Sequence, residues 1–229
     1  MDLGRRDHTR WLGSSGRYST RLTLPTANLL AAWDARLGVT NVSGACSAWA
    51  DQSGNGKHAT QGTAGSRPTI SSTGGYPSLL FDGSNDHLVA PVVASSGVKT
   101  IYAVTNPTVD SSPRILLRGT TGLDGVGAFN SLYQGNDAVG WRSSGVAYAT
   151  GLQRVAYQVA AGASGFNFWK NSVASTPASW TTSPSFTSAY IGATAPSFWA
   201  YSGHILWLGI YNAARNTAVE AYLQQEFGV

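Results

Sequence analysis

Apolar and polar residues alternate along several short segments of this chain, and this alternation predicts β-strands. In the segment 154–159, Val155, Tyr157 and Val159 share one face, which predicts a strand with that face in the core and a wetter opposite face. Two further segments are apolar on both faces and are expected to be central strands covered on both sides: Ile205 to Tyr211, and Lys99 to Val104 beyond its first residues.

One helix is well marked, over residues 217–227. Thr217 and Glu220 have the spacing of a capping box, and Gly228 follows as a residue that can end the helix in a left-handed conformation. Its apolar stripe consists of Val219, Tyr222 and Leu223. We expect this helix to cover one side of the predicted sheets.

Two polar turns punctuate the first half of the chain. The first lies within WADQSGNGKHATQ, residues 49–61, where Gly54 and Gly56 tolerate a positive φ and Asp51 is placed to accept hydrogen bonds from backbone N–H groups. The second lies within LLFDGSNDHL, residues 79–88, where a short apolar strand runs into a turn and out again. Both turns are predicted to be ordered turns of a β fold, held by hydrogen bonds from their own side chains.

The order of these motifs resembles a laminin-G-like, concanavalin A-type jelly roll. A late hairpin at 166–173, a strand at 189–193 and an aromatic strand at 201–212 continue the resemblance, which covers about residues 27 to 229. It implies an all-β fold: a concanavalin A-like jelly-roll sandwich of two antiparallel sheets with a short C-terminal helix and an extended N-terminal arm. Such domains are common in bacteriophage virion proteins and in carbohydrate-binding modules, so the fold alone does not choose a function.

Composition agrees with one such domain preceded by an arm. The 229 residues include 27 Gly, 8 Trp and 10 Tyr, and only 11% are charged, which suits short aromatic strands joined by tight turns. We place a basic docking arm at 1–24 and the jelly roll at 25–229. The arm holds five arginines and two aspartates, so it carries about three of the four net positive charges.

The arm is predicted to dock on protein. Arginine forks and amphipathic rings suit an interface, while the near-neutral remainder of the chain argues against nucleic acid as a partner. The predicted docking residues are Arg5, Arg6, Arg10, Trp11, Arg17, Tyr18 and Arg21.

Calcium is the metal for which the sequence offers a candidate site. Acidic and amide side chains at alternate positions before Gly56 match the first half of a calcium loop, but the bidentate acid of the second half would fall at Gly62. A site would have to combine both turns. Its ligands would be Asp51, Ser53, Asn55, Asp82 and Asp86. Side-chain capping of the turns is the stronger interpretation.

Catalysis is not expected. The paired carboxylates of a retaining glycosidase are missing, because the E-x-D-x-E strand motif is absent and the two glutamates, Glu220 and Glu226, both fall on the predicted helix. The histidines lack ligand spacing, and the single cysteine, Cys46, has no recognisable catalytic partner. We assign no catalytic residues and no other cofactor.

Glycan binding is harder to exclude, because an aromatic face on a loop can stack against a sugar ring. The candidates lie in or beside predicted turns and are Trp141, Trp180, Phe198, Trp199 and Tyr201. The alternative, that most large aromatic residues belong to the core or to an interface, is favoured because such residues supply much of a sandwich core.

The main hypothesis is a non-enzymatic structural protein of a bacteriophage virion, a capsid decoration or tail-associated subunit that docks through its arm. We expect other virion proteins and further copies of the chain as partners, no membrane insertion, and synthesis in the host cytoplasm, because the sequence shows neither a signal peptide nor a membrane span. The alternative is a carbohydrate-binding adhesin that recognises a host-surface polysaccharide.

Overall fold

A computed structural model describes residues 22–91, 97–108, 114–119, 124–137, 139–181, 188–193 and 199–229. Within these ranges the chain forms eighteen β-strands, a short 3-10 helix at Ala64–Ser66 and one α-helix, α1, at Thr217–Phe227. The predicted docking residues, Arg5, Arg6, Arg10, Trp11, Arg17, Tyr18 and Arg21, lie outside the described residues.

The strands in chain order are β1 (Leu29–Asp34), β2 (Val39–Val42), β3 (Ala45–Trp49), β4 (Ala59–Thr60), β5 (Thr69–Thr73), β6 (Tyr76–Asp82), β7 (Leu88–Ala90), β8 (Lys99–Pro107), β9 (Arg114–Gly119), β10 (Gly125–Phe129), β11 (Leu132–Asp137), β12 (Gly140–Ala147), β13 (Gln153–Val159), β14 (Gly162–Lys170), β15 (Val173–Ala174), β16 (Ala178–Trp180), β17 (Ala189–Ile191) and β18 (Ser202–Tyr211).

The strands form two antiparallel layers. The back sheet runs β5, β6, β18, β8, β13, β14, β16, with β1 paired to the second half of β18. The front sheet runs β2, β3, β4, β7, β17, β9, β10, β11, β12. This architecture confirms the predicted jelly-roll sandwich, and the two segments predicted to be central strands are β8 and β18, which pair with each other.

The main core lies between the sheets and is rich in aromatic residues. Its largest fully buried side chains include Trp33, Trp49, Phe81, Phe166 and Phe168. On β13, the residues Val155, Tyr157 and Val159 all belong to this core, as their alternation predicts.

Most of the opposite face of β13 is buried, contrary to the sequence prediction, and only Gln158 is partly exposed. Arg154 is 3% exposed and Ala156 is 2% exposed, because α1 packs across this side of the back sheet and forms a second apolar core. Arg154 donates hydrogen bonds to the carbonyl of Glu220 at 3.0 Å and to the hydroxyl of Ser172 at 2.7 Å. A buried arginine with several partners therefore helps to join the helix to the sheet.

The helix has the predicted bounds but a different N-cap. Asn216, not the predicted capping box, accepts the N–H of Ala218 at 2.9 Å, and Glu220 instead accepts a hydrogen bond from Nε of Arg215 at 2.5 Å. Gly228 ends the helix with a φ of 71°, as predicted. Among the described residues, no helix has the length and hydrophobicity needed to cross a membrane.

Candidate functional site

The first polar turn is a corner organised by Asp51, which is 8% exposed. Its Oδ1 accepts the N–H groups of Ala32 and Ser53, and its Oδ2 accepts that of Lys57, each at 2.9 Å. Burial alone would raise the pKa of Asp51, but these hydrogen bonds outweigh it and lower the pKa. The predicted capping of this turn is confirmed.

The second polar turn is held by two aspartates. Oδ1 of Asp82 accepts the N–H of Ser84 at 2.8 Å, and Oδ2 of Asp86 accepts the N–H of Asp82 at 3.0 Å. Burial raises the pKa of Asp86 to about 6, and the nearby charge of Asp82 adds to the rise. This turn is therefore also organised by its own side chains.

A shared calcium site between the two turns stays a prediction. In the described part of the chain, no group of three or more His, Cys, Asp or Glu side chains is placed to hold a metal ion. The first turn uses its candidate ligands internally: Ser53 donates its hydroxyl to Asp51 at 2.7 Å, and Asn55 donates its amide to the carbonyl of Leu29 at 2.9 Å.

Three aromatic side chains, Phe129, Trp141 and Trp199, form a cluster that we call the aromatic platform. The rings of Phe129 and Trp141 are stacked, with centroids 4.8 Å apart and planes within 6°. The ring of Trp199 lies 5.5 Å from that of Trp141 at an angle of 52°. Trp199 is 39% exposed and the other two rings are half-buried, so the platform presents aromatic area to solvent.

Strand register places the platform on the outer face of the front sheet. Residues that directly oppose each other in a β-ladder share a face. One row across five neighbouring strands consists of Trp141, Asn136, Gly125, Arg118 and Tyr190. The next residue along β10, Val126, is buried in the core between the sheets, so this row faces away from the core.

Polar side chains lie on the same face beside the platform. Gln134 opposes Gly127 and is 5% exposed, and its amide donates to the carbonyl of Phe129 at 3.0 Å. Asn136 is 7% exposed, and among the described residues its side-chain amide has no hydrogen-bond partner. A ring platform with an adjacent amide group offers both stacking and hydrogen bonding to a ligand.

Arg118 borders the platform on the other side. Its guanidinium carbon lies 5.9 Å from the ring centroid of Trp199, within the range of a cation–π contact. Burial lowers the pKa of Arg118, while the charge of Asp124 acts in the opposite direction. The arginine is thus partly dehydrated beside an aromatic cluster, with the charge of Asp124 nearby.

The structure brings together two of the five aromatic residues predicted to bind glycan, Trp141 and Trp199. It places two others in the core: Trp180 is 1% exposed and Tyr201 is 3% exposed, so neither ring is available to a sugar. Trp180 is buried because two glycines make room for it, and a Cβ at Gly135 would lie 2.5 Å from its ring. Phe198 lies outside the described residues.

Sequence reasoning missed Phe129 and Arg118. Phe129 precedes Asn130 and Ser131, whose φ angles of 49° and 59° form the tight turn between β10 and β11. An asparagine after an aromatic residue in an apolar, glycine-containing run was a usable hairpin signal. Arg118 carried no local signal, because its ring partner, Trp199, lies far along the chain.

Comparison with known proteins finds similar folds and no similar sequences. No protein-family model and no curated protein sequence matches the chain. Trypanosoma rangeli sialidase, solved with 2,3-difluorosialic acid as a covalent intermediate, is similar over 89% of this chain and 34% of its own, with 18% identity and a TM-score of 0.60. This chain therefore spans about a third of the sialidase.

Two further similar structures are a domain of an enzyme and part of a toxin. Domain 4 of AbnA, an extracellular GH43 arabinanase from Geobacillus stearothermophilus in complex with arabinotriose, matches over 85% of this chain and 98% of its own, with 14% identity and a TM-score of 0.58. Botulinum neurotoxin type C, whose cell entry depends on two ganglioside molecules, matches over 87% and 51%, with 8% identity and a TM-score of 0.58. At these identities the likeness shows a shared fold.

Proposed function

We propose that this chain is a non-catalytic carbohydrate-binding domain whose aromatic platform stacks against sugar rings. The observation that carries the proposal is the contact between Trp141 and Trp199, two rings 5.5 Å apart on an outer sheet face, one of them 39% exposed. Sugar rings have apolar C–H faces that pack on aromatic rings, and their hydroxyls pair with amides such as that of Asn136.

The similar structures support this proposal at the level of fold. The sialidase is in complex with 2,3-difluorosialic acid, the arabinanase domain is in complex with arabinotriose, and the toxin interacts with gangliosides. The arabinanase domain is also a separate unit of about the same extent as this chain. The virion role and the virion partners stay predictions, because these structures carry no link to phage particles.

The proposal assigns no catalytic step. Both glutamates lie on α1, on the back sheet and away from the platform. Glu220 pairs with Arg215 at 2.5 Å, and Glu226 pairs with Arg36 at 2.6 Å. Carboxylates held in such pairs on the opposite side of the fold are poorly placed to act on a sugar at the platform.

A binding assay against a panel of soluble polysaccharides tests the proposal. We expect retardation of the protein in gels that contain a bound polysaccharide, and loss of that retardation in Trp199→Ala and Trp141→Ala. The matched control is Leu37→Ala, which removes an apolar side chain that is 52% exposed, next to the β2 edge of the front sheet. Unchanged retardation in both tryptophan variants would show that the platform is not the site.

The same preparations test for catalysis. Long incubation with each polysaccharide should release no new reducing ends. If the wild-type protein releases reducing ends and Asp82→Ala or Asp86→Ala does not, the chain is an enzyme.

A further inference from the structure

Arg118 differs from the other arginines of the described chain in how its guanidinium is used. Of the seven arginines in the described ranges, six donate hydrogen bonds to protein groups: Arg36, Arg67, Arg114, Arg142, Arg154 and Arg215. Among the described contacts, Arg118 has only the ring of Trp199 and the nearby charge of Asp124. Within the described residues, none of its five N–H donors is used in a hydrogen bond to protein, and we take them as the donors for a ligand.

The sheet positions this guanidinium beside the platform. Arg118 and Gly125 oppose each other across β9 and β10, and a Cβ at position 125 would lie 3.1 Å from Cγ of Arg118. The side chain of Arg118 thus lies close over the glycine, on the row that leads to Asn136 and Trp141. A residue larger than glycine at this position would displace the arginine.

The chemistry of this position indicates a particular ligand. A guanidinium is a planar fork that binds a carboxylate through two parallel hydrogen bonds. Charge-assisted bonds are stronger where water is partly excluded, as it is beside the ring of Trp199. Asp124 moderates the local positive charge, but the fork itself has no carboxylate hydrogen-bonded to it in the described residues.

We infer that the platform binds an acidic glycan, and that Arg118 pairs with the carboxylate of a uronic or sialic acid residue while Trp141 or Trp199 stacks against the same or the neighbouring sugar. This inference rests on the proposed carbohydrate binding and adds the charge class of the ligand. Asn136, on the same row, supplies a further hydrogen-bonding group for a hydroxyl.

Matched pairs of polysaccharides test the inference. The probes are polygalacturonate, alginate, hyaluronate and polysialic acid, each measured by calorimetry beside its carboxyl-reduced form. At least one acidic polymer should bind about tenfold or more tightly than its reduced partner, and Arg118→Gln should remove this difference while leaving the weaker binding to the reduced polymer. Retained binding to the reduced polymer also shows that the variant is folded.

Two further variants separate charge from geometry. Arg118→Lys keeps the charge but loses the fork, so it should recover only part of the preference. Gly125→Ala keeps the arginine but shifts it, and should weaken binding to the acidic polymer more than to the reduced one.

The outcomes distinguish this inference from the proposed function. If Trp199→Ala abolishes binding to both polymers of a pair and Arg118→Gln weakens neither or both equally, the platform binds glycan but the acidic preference is wrong. If the wild-type protein binds none of the polymers, acidic or reduced, both the inference and the proposed function are wrong. If a sulfated form of a reduced polymer binds more tightly than the carboxylated polymer, the partner of Arg118 is a sulfate ester and the inferred carboxylate is wrong.

Discussion

Phe129 lies flat against one face of Trp141, with ring centroids 4.8 Å apart and planes within 6°. The two residues come from different strands, β10 and β12, with β11 between them. This contact fixes the tilt of the Trp141 ring before any ligand arrives. A preformed ring loses little rotamer freedom on binding, which favours affinity.

Replacing Phe129 should therefore weaken glycan binding, although its stacking partner is Trp141 and not the more exposed ring of Trp199. An aromatic pair contributes ~0.5–1.5 kcal/mol beyond its buried area, so Phe129→Ala should lower affinity by roughly two- to tenfold. Calorimetry with a polysaccharide that binds the wild-type protein measures the loss. Phe129→Tyr, which keeps the ring, is the control and should bind like the wild type; equal affinity of Phe129→Ala would show that the stack does not organise the site.

Asp51 should be a stability determinant, because it satisfies three backbone N–H groups in a corner that is 8% exposed at this residue. Leaving buried donors without an acceptor costs ~1–3 kcal/mol, so Asp51→Ala should lower the free energy of unfolding by about that amount. Urea unfolding measures it. Asp82→Ala, in the more exposed second turn, should cost less.

Thermal unfolding of the wild-type protein and of Asp51→Ala tests whether calcium binds at this turn. If capping is the role of Asp51, the midpoint of thermal unfolding of the wild-type protein should be the same with calcium and with a chelator. A midpoint that rises with calcium and no longer does so in Asp51→Ala would establish the metal site instead.

The sequence predicted the positions of strands better than the contacts between elements that are distant in the chain. Alternation within 154–159 located β13 and its core face, but not the helix that buries Arg154 on the other side, because that contact is made by residues far along the chain. Trp180 was named as a possible sugar-binding residue near a turn, although burial of most large aromatic residues in the core was the favoured interpretation. It lies in the core because Gly135 leaves space for its ring and Gly165 for its Cβ, and such complementarity between strands has no local sequence pattern.

The candidate site was predicted in the same partial way. Trp141 and Trp199 were both named from the sequence, yet nothing in their spacing indicated that they touch. Their contact depends on the pairing of β11 with β12, which positions Trp141, and on the position of Trp199, which belongs to neither strand. Arg118 joins them through the register of β9 with β10, which only the assembled front sheet determines.

Asp86 should make stability depend on pH between about 4 and 6. Its pKa rises from 3.8 to about 6 in the folded state, chiefly through burial, so the folded protein binds more protons than the unfolded chain in this window. The free energy of unfolding contributed by Asp86 is then greatest below about pH 4 and falls as pH rises toward 6.

Asp86→Asn should remove that fall while keeping an oxygen that accepts the N–H of Asp82. Urea unfolding at several pH values gives the free energy of unfolding of each protein as a function of pH. The difference between wild type and variant should change between pH 4 and 6 and be constant above pH 6. Asp137, whose pKa is lowered to about 2 against the effect of burial by bonds from Thr181 and Arg142, acts in the opposite sense and only as pH falls below about 4. Parallel curves across pH 4 to 6 would show that Asp86 does not titrate as described.

We expect the boundary between arm and domain to lie just after residue 21, a few residues before the predicted boundary at residue 24. Although the sequence placed Leu22 and Leu24 in the arm, Leu22 donates its N–H to the side chain of Gln225 at 2.6 Å, and Leu24 packs on the apolar core beneath α1. The carbonyl of Pro25 accepts the hydroxyl of Tyr211, a buried side chain, at 2.7 Å. These residues therefore belong to the fold.

Two truncations compare these assignments directly. Deleting residues 1–21 should leave the free energy of unfolding and glycan binding unchanged, because every contact described above is retained. Deleting residues 1–27 removes the packing of Leu24 and leaves the buried hydroxyl of Tyr211 without its acceptor, which should cost about 1–3 kcal/mol. Urea unfolding of both proteins, with Tyr211→Phe in the full chain to isolate the hydroxyl, makes the comparison. Equal stability of the two truncations would place the boundary at β1, whereas destabilisation by the shorter deletion would make the arm part of the folded domain.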